Sequence, residues 1–420
     1  MNRGTEDLVI FTNGPGEIAT WVAPVLERVT ARPSLRERYR VVVVIHPCQF
    51  GSGTEQLVAP ALPGVDLVVG PGAYLRLLFT GLGGRRYRFS RQGVIFSLGG
   101  DLMHPVLFRR RIRGRHLLYA YTNNPGWEQS YRRIFVRSAQ VKTKFLNRGI
   151  PSEKVVVTGD LVYSSLRTEQ DREQARTRLG LGGDERMVAF LPGSRAFEVE
   201  HMMPVFLKVI DELTGRMGEV RPFFLKSPFA TREMIERGLA RGGSFPEMES
   251  LPGTLRQGEG SCWVEYAGGR RVGLLEGGLE RWGAAIDLAV TLPGTNTVQL
   301  AYRKIPALVV APLNRLELIP IEGPAGLLKW VPLGRAVLRR AVARYVREFR
   351  YASLPNLYEG EEIFPELFGV IRTTDIVSRL LALLGGGEER DIRERLERFA
   401  FETDPADIIM REVWGDEQAV

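Results

Sequence analysis

The sequence predicts an α/β protein of two Rossmann-like lobes with a cleft between them, each lobe a doubly wound and mostly parallel sheet. Three observations carry this. A chain of 420 residues has length for two ordinary domains. Short, wholly apolar runs recur in both halves, as parallel strands buried on both faces require. Helical patterns separate them, which is the βαβ rhythm of a doubly wound sheet.

In the first half, residues 8–11, 41–45, 65–69, 94–98, 117–121, 133–136 and 155–158 read as strands, with a helix over 19–29. A second series begins near residue 186: strand 187–191, helix 199–213 and strand 221–225, then strand 285–291, helix 299–303 and strand 307–311. Between them, 238–283 is rich in Gly and Pro and is expected to hold a hairpin around 262–266. Residues 333–349 form an amphipathic, Arg-rich helical pattern, and 373–384 another. Gly385-Gly386-Gly387 breaks the latter, and 388–401 reads as a terminal helix. The expected organisation is an N-terminal lobe over 1–165, a C-terminal lobe over 166–384 and a helical extension over 385–420. The C-terminal helices would pack back on the N-lobe or on a partner subunit.

Composition narrows the function. An apolar fraction of 44% suits a globular protein and excludes a disordered one. Two distant cysteines, Cys48 and Cys262, make no disulfide framework and read as buried thiols of a reducing compartment. The N-terminus lacks the charged, apolar and small-residue regions of a signal peptide. No uncharged apolar run reaches the ~20 residues that span a bilayer, so the expected location is cytoplasmic. A net charge of +8 favours anionic partners. Nucleic acid is excluded as the expected partner, because neither a known module nor interleaved aromatics accompany the charge.

Four turns could carry chemistry. Leu191-Pro192-Gly193-Ser194-Arg195 follows a strand and opens a helix, with Glu198 near its start. Backbone N–H groups at a helix N-terminus favour anions, and Arg195 adds a fork for phosphate oxygens. Pro293-Gly294-Thr295-Asn296-Thr297 is a second such turn, with Gln299 close behind. Two turns at strand carboxyl ends in one α/β lobe converge on one crevice. The bland alternative for each is an ordinary βα turn. In the first half, Asn13-Gly14-Pro15-Gly16-Glu17 resembles a nucleotide-binding loop without GxGxxG, and its glycines permit close backbone approach. Gly99-Gly100-Asp101 places a carboxylate just past a strand end, where it could take a proton from a hydroxyl or simply cap a helix. His104 and His116 read as structural. The four His residues show no metal spacing, and there is no Asp-x-Asp pair to hold a metal on a diphosphate. No metal or other cofactor is therefore expected.

Together these segments resemble the lipid-A-disaccharide synthase family, inverting glycosyltransferases of the two-lobed GT-B fold. Leu191-Pro192-Gly193-Ser194-Arg195, with Glu198 and Pro204, is similar to the family's LPGSR-x-x-E-[IV] segment. Gly294-Thr295-Asn296-Thr297, then Ile305-Pro306 and Val309-Val310, resembles SGTATLE…GVP-x-VV. Leu354-Pro355-Asn356, then Glu361, Pro365 and Glu366, resembles LPN…E-x-x-PE. Gly16-Glu17 and Gly100-Asp101 resemble the GEASGD and IDAPDFN motifs of the N-lobe. Departures fall mainly there: Trp21 and Leu98 stand where the family has Asp, Gly100 where it has Pro, and Val157-Thr158-Gly159-Asp160 where it has VGHP. In the C-lobe, Gln299 replaces a Glu near the donor ribose.

The resemblance implies transfer of a glucosamine-type sugar from a UDP-sugar to a sugar or lipid-linked acceptor, with inversion. Gly193, Ser194, Arg195, Gly294, Thr295, Asn296, Thr297 and Gln299 would hold the UDP-sugar. Asn13, Gly14 and Gly16 would line the acceptor side, with Asp101 and Glu17 as candidate acids and bases. The alternatives are an enzyme like UDP-N-acetylglucosamine 2-epimerase, which shares the two-lobed fold, and a non-catalytic nucleotide-sugar-binding protein. The family works at the inner membrane face. Arg85, Arg86, Arg88, Arg91, Arg109, Arg110, Arg111, Arg113 and Arg115, beside the apolar stretch 74–82, would suit an anionic membrane surface, as would 333–349. A homodimer through the C-terminal helices is the other use for that pattern.

Overall fold

In the computed structural model, residues 6–48, 53–80, 87–166, 171–241, 245, 247–315, 350–399 and 402–415 are described. Arg85, Arg86 and the helical pattern at 333–349 lie outside these residues. The chain divides into two compact units. One comprises residues 1–165 with the C-terminal stretch from 401, and the other residues 166–400.

The first unit is a seven-stranded, all-parallel sheet. Its strands are β1 (Glu6–Thr12), β2 (Tyr39–Ile45), β3 (Leu67–Val69), β4 (Gln92–Leu98), β5 (Arg115–Tyr121), β6 (Arg133–Val136) and β7 (Val155–Val157), in spatial order β3-β2-β1-β4-β5-β6-β7. The strands are apolar on both faces because both are covered. Leu8, Ile10, Val41 and Val43 enter one layer, while Val9, Phe11, Val42 and Val44 enter the other. After β1 the chain forms a π-helical turn, Ile18–Val22, continued by helix Ala23–Thr30.

The second unit contains β8 (Arg186–Leu191), β9 (Val220–Leu225), β10 (Gly253–Gly258), β11 (Ser261–Tyr266), β12 (Arg270–Leu275), β13 (Leu288–Thr291), β14 (Ala307–Pro312) and β15 (Glu366–Gly369). Their order is β10-β11-β12-β9-β8-β13-β14-β15. The expected hairpin is a three-stranded antiparallel meander, and β12 joins it to the parallel sheet through β9. The strand expected from residue 285 begins at Leu288, because Gly283–Ala285 form a 3₁₀ turn. Neither cysteine is a core thiol: Cys48 lies in the loop after β2 and Cys262 in the meander, and both are half-buried.

Residues 385–420 are not one extension. Helix Glu388–Leu396 stays with the second unit, where Ile392 and Leu396 enter its core. It is not terminal: helix Pro405–Trp414 follows and packs on the first unit. Ala406, Ile409 and Met410 are buried against the β1–β2 layer. Full burial of an Ile or Met side chain contributes about 1.5–3 kcal/mol. Arg28 fixes the start of that helix through Asp404 at 2.6 Å and Asp407 at 2.7 Å, while Ser164 Oγ donates to Asp404 at 2.6 Å. Packing back on the N-lobe is thus what the last helix does.

Candidate functional site

In the parallel part of each sheet the strand order reverses at one point. In the second unit it lies between β8 and β13, whose ends are in register, Leu191 beside Thr291. The two Gly-containing turns identified in the sequence start there, side by side. This is the crevice in which open α/β sheets bind ligands.

The two turns are differently committed. Gly193 adopts φ +105°, and a Cβ there would lie 2.5 Å from Glu198 Cβ, so only glycine lets the chain fold so closely over this side chain. Glu198 then accepts hydrogen bonds from the N–H groups of Ser194 (2.9 Å) and Arg195 (3.1 Å), and pairs with the Arg195 guanidinium at 2.7 Å. The protein's own carboxylate thus occupies the place that sequence reasoning assigned to a phosphate.

In the second turn the side chains brace the loop. The Thr297 hydroxyl, fully buried, donates to the Gly294 carbonyl at 2.7 Å, and the Asn296 amide donates to Thr291 Oγ1. The N–H groups of Thr295 and Asn296 open helix Thr295–Tyr302, where no intrahelical carbonyl reaches them. Thr295 and Gln299 are half-buried on the same short helix.

In the first unit the strand order reverses between β1 and β4. The Asn13–Glu17 loop and Gly99-Gly100-Asp101 follow these two strands. Gly99 and Gly100 have φ of +123° and +77°. A Cβ on Gly99 would lie 2.8 Å from Glu17 Cγ and 3.2 Å from Asn13 Oδ1, and one on Gly100 would collide with His46 Nε2. Asn13, Glu17, His46 and Asp101 therefore converge around this glycine pair. Gly14 is covered by the Glu17 carboxylate, and the Gly16 carbonyl accepts the Thr20 hydroxyl at 2.8 Å. Asp101 is exposed, and its Oδ1 accepts the Met103 N–H at 2.7 Å, so it braces the start of helix Met103–Ile112.

Sequence reasoning missed His46, which follows β2, and took His104 as structural. The two rings stack at 4.3 Å, and Tyr74 OH lies 2.7 Å from His104 Nδ1. Burial, helped by the neighbouring His104, pushes His46 down to about 4, with the Pro47 and Gly99 carbonyls and Asp101 opposing only in part. Burial likewise lowers His104 against the pull of Asp101, and raises Tyr74 to about 12. Both imidazoles are neutral at pH 7 and the phenol is protonated. The only early signal for His46 was a polar residue at the end of an apolar parallel strand.

Of the two positions where the resembled family has Asp, Leu98 is core and Trp21 is half-buried against that core. Leu98 is fully buried, and the Trp21 ring meets Tyr121 edge-on at 5.0 Å. The LPN block is also internal. Asn356, fully buried, donates to the Phe364 carbonyl (2.8 Å) and Glu366 (2.6 Å) and accepts from the N–H groups of Ile363 and Phe364, both at 2.9 Å. Glu366 also receives the N–H groups of Ala352 and Ser353. This buckle fixes β15 and leaves no bonding capacity of Asn356 for a ligand.

The fold defined by these two doubly wound sheets is that of known two-lobed proteins. The chain is similar to UDP-GlcNAc 2-epimerase from Neisseria meningitidis bound to UDP-GlcNAc, with TM-score 0.51 and 12% identity over 97% of this chain and 99% of that one. The Methanocaldococcus jannaschii UDP-GlcNAc 2-epimerase gives TM-score 0.53 at 12% identity over 97% and 100%. At such identity the likeness speaks for fold alone. Sequence points to a different family. Residues 155–244 match the family model described as lipid-A-disaccharide synthetase. Lipid-A-disaccharide synthase of Neisseria meningitidis strain FAM18 is 30% identical over 201 residues, 47% of this chain and 40% of the relative. That of Pseudomonas putida KT2440 is 29% identical over 253 residues, 60% and 52% of the two chains. The chain spans about half the length of the curated relatives it matches. Over these segments it is similar to the lipid-A-disaccharide synthase family.

Proposed function

We propose that the protein is a UDP-sugar-dependent glycosyltransferase that passes a glucosamine-type sugar to a sugar or lipid-linked acceptor with inversion. The observation that carries this reading is the pair of family-like turns meeting at the β8/β13 reversal. Because Glu198 fills the Ser194 and Arg195 amides, the diphosphate is assigned to the first-turn N–H groups of Thr295 and Asn296. Arg195 then supplies charge from the adjoining turn, and Gln299 faces the ribose. The acceptor belongs to the first unit. Its hydroxyl attacks the anomeric carbon opposite UDP, the C–O bond to UDP breaks, and Asp101 takes the hydroxyl proton through the oxygen not used by Met103.

Heat denaturation with and without UDP tests the donor site. UDP should raise the melting temperature, since a ligand specific for the native state stabilises it, and Arg195→Ala should remove most of the shift. Equal shifts in both proteins would take Arg195 out of the site. Turnover is proposed to need no divalent metal, from the missing Asp-x-Asp pair, and strict dependence on magnesium or manganese would overturn that.

A membrane-facing role is supported by the exposed Arg110, Arg111, Arg113 and Arg115 beside exposed Leu75 and Phe79. Sedimentation with anionic vesicles tests it. Among the described residues, no helix is long and apolar enough to cross a membrane. The convergence of Glu17 and Asp101 with His46 favours one second reading, an epimerase. Formation of the 2-epimer from UDP-N-acetylglucosamine without acceptor would establish that reading instead.

A further inference from the structure

One carboxylate holds the Gly193 turn together. Glu198 stands at the third position of helix Ala196–Thr214, where a Glu ordinarily reaches back to one backbone N–H and caps the helix. Here its two oxygens divide the task. Oε2 accepts the N–H groups of Ser194 at 2.9 Å and Arg195 at 3.1 Å, and Oε1 pairs with Arg195 Nη1 at 2.7 Å.

The second unit contains its own comparison. Helix Thr373–Gly385 also follows an Arg, and Asp375 stands in it where Glu198 does in the other. Asp375 accepts the Arg372 N–H at 2.8 Å, and among the described residues it pairs with no guanidinium. One backbone bond suffices to cap such a helix, so the further contacts of Glu198 exceed what capping requires. The fold also makes room for them. Gly193 has φ +105°, and a Cβ there would lie 2.4 Å from Glu198 Oε2. The Glu198 side chain is 11% exposed, against 46% for Glu236 in the surface pair with Arg232. With Oε2 anchored on two amides of the turn, Oε1 has a fixed place, and so has the guanidinium bonded to it. A side chain held in advance loses less rotamer freedom when it meets a ligand.

We propose that Glu198 is a positioning residue for the donor, holding the Arg195 guanidinium in place for the diphosphate of a UDP-sugar. Glu198 touches no substrate and acts through Arg195. The opposite role, a carboxylate that competes with phosphate for the turn, has the opposite effect on affinity. The proposal rests on the reading that the donor binds at the β8/β13 reversal.

The test is a double-mutant cycle read by UDP titration. Melting temperature is followed against UDP concentration in the wild type, Arg195→Ala, Glu198→Gln and the double variant, and affinity is taken from the shifts. Gln keeps an oxygen for the two amides and loses the ion pair. Glu198→Gln should weaken UDP by about tenfold or more, the value of a charged hydrogen bond. The double variant should bind UDP no more weakly than Arg195→Ala alone, because both changes remove one arrangement. A mere cap would lower the melting temperature without UDP and leave UDP affinity as it was. Unchanged or tighter UDP binding by Glu198→Gln, or losses that add in the double variant, overturns the proposal. Glu198→Asp is the second variant if Glu198→Gln does not fold. It keeps the charge, but one methylene shorter it cannot span both the amides and the guanidinium, and wild-type affinity there overturns the proposal equally. UDP stabilisation of the wild type that Glu198→Gln retains in full sinks the positioning role alone. Absence of UDP stabilisation in the wild type sinks the donor reading and this role with it.

Discussion

Acidification should destabilise this protein through His46, by an amount that can be worked out. The imidazole has an ordinary pKa of 6.5 and is held at about 4 in the fold. For a base lowered by folding, the unfolded chain binds more protons between these values. Stability is therefore complete above about pH 6.5 and falls as the pH drops toward 4. At pH 5 the loss from this residue is about 2 kcal/mol, from the ratio of the two binding polynomials. For a unit of this size that corresponds to a fall of roughly 4–8 °C in melting temperature. His104 and His116, also lowered by burial, push the same way. They remain in His46→Gln, so the variant isolates the His46 contribution. Melting temperatures of both proteins between pH 7.5 and 5 provide the assay. The variant should lose about 2 kcal/mol less than the wild type over this range. Equal losses would mean that His46 is not held neutral by burial.

Three further outcomes follow from the geometry. Asp101→Asn should lower turnover by ~10²–10⁴ while UDP stabilisation stays unchanged, since the residue lies in the unit assigned to the acceptor; near-normal turnover would reduce Asp101 to the helix brace seen at Met103. Asn356→Leu should cost about 3 kcal/mol or more in urea unfolding, because it strands the Ile363 and Phe364 N–H groups, the Phe364 carbonyl and the Glu366 carboxylate in the interior; a loss within ~0.5 kcal/mol would refute the buckle. Buried Asp160, raised to about 6 by desolvation, costs stability as the pH rises from its ordinary 3.8 through 6. Asp160→Asn keeps an acceptor for the Val162 N–H and should stabilise the protein at pH 7, by at most about 3 kcal/mol; a destabilised variant would show that the charge is compensated.

The sequence by itself determined the strands, the two-unit plan and the four turns, because each of these is written locally. A short apolar run such as Leu8–Phe11, closed by the Asn13–Gly16 turn, reads as a strand covered on both faces, and a glycine between strand and helix marks a turn whoever its neighbours are. It also carried the family likeness, which lies in contiguous segments. What each turn can bind was decided by tertiary structure. Glu198 follows Ser194 by only four residues, yet that its carboxylate fills the turn's own amides depends on the positive φ of Gly193 and the angle at which the helix leaves. His46 and His104 are 58 positions apart, and they stack only because β2 and β4 flank β1 and the helix after β4 turns back over the end of β2. The return of helix Pro405–Trp414 to the first unit was beyond local reading for the same reason. Periodicity reports which face of an element is apolar, and it carries no term for which distant element will cover that face.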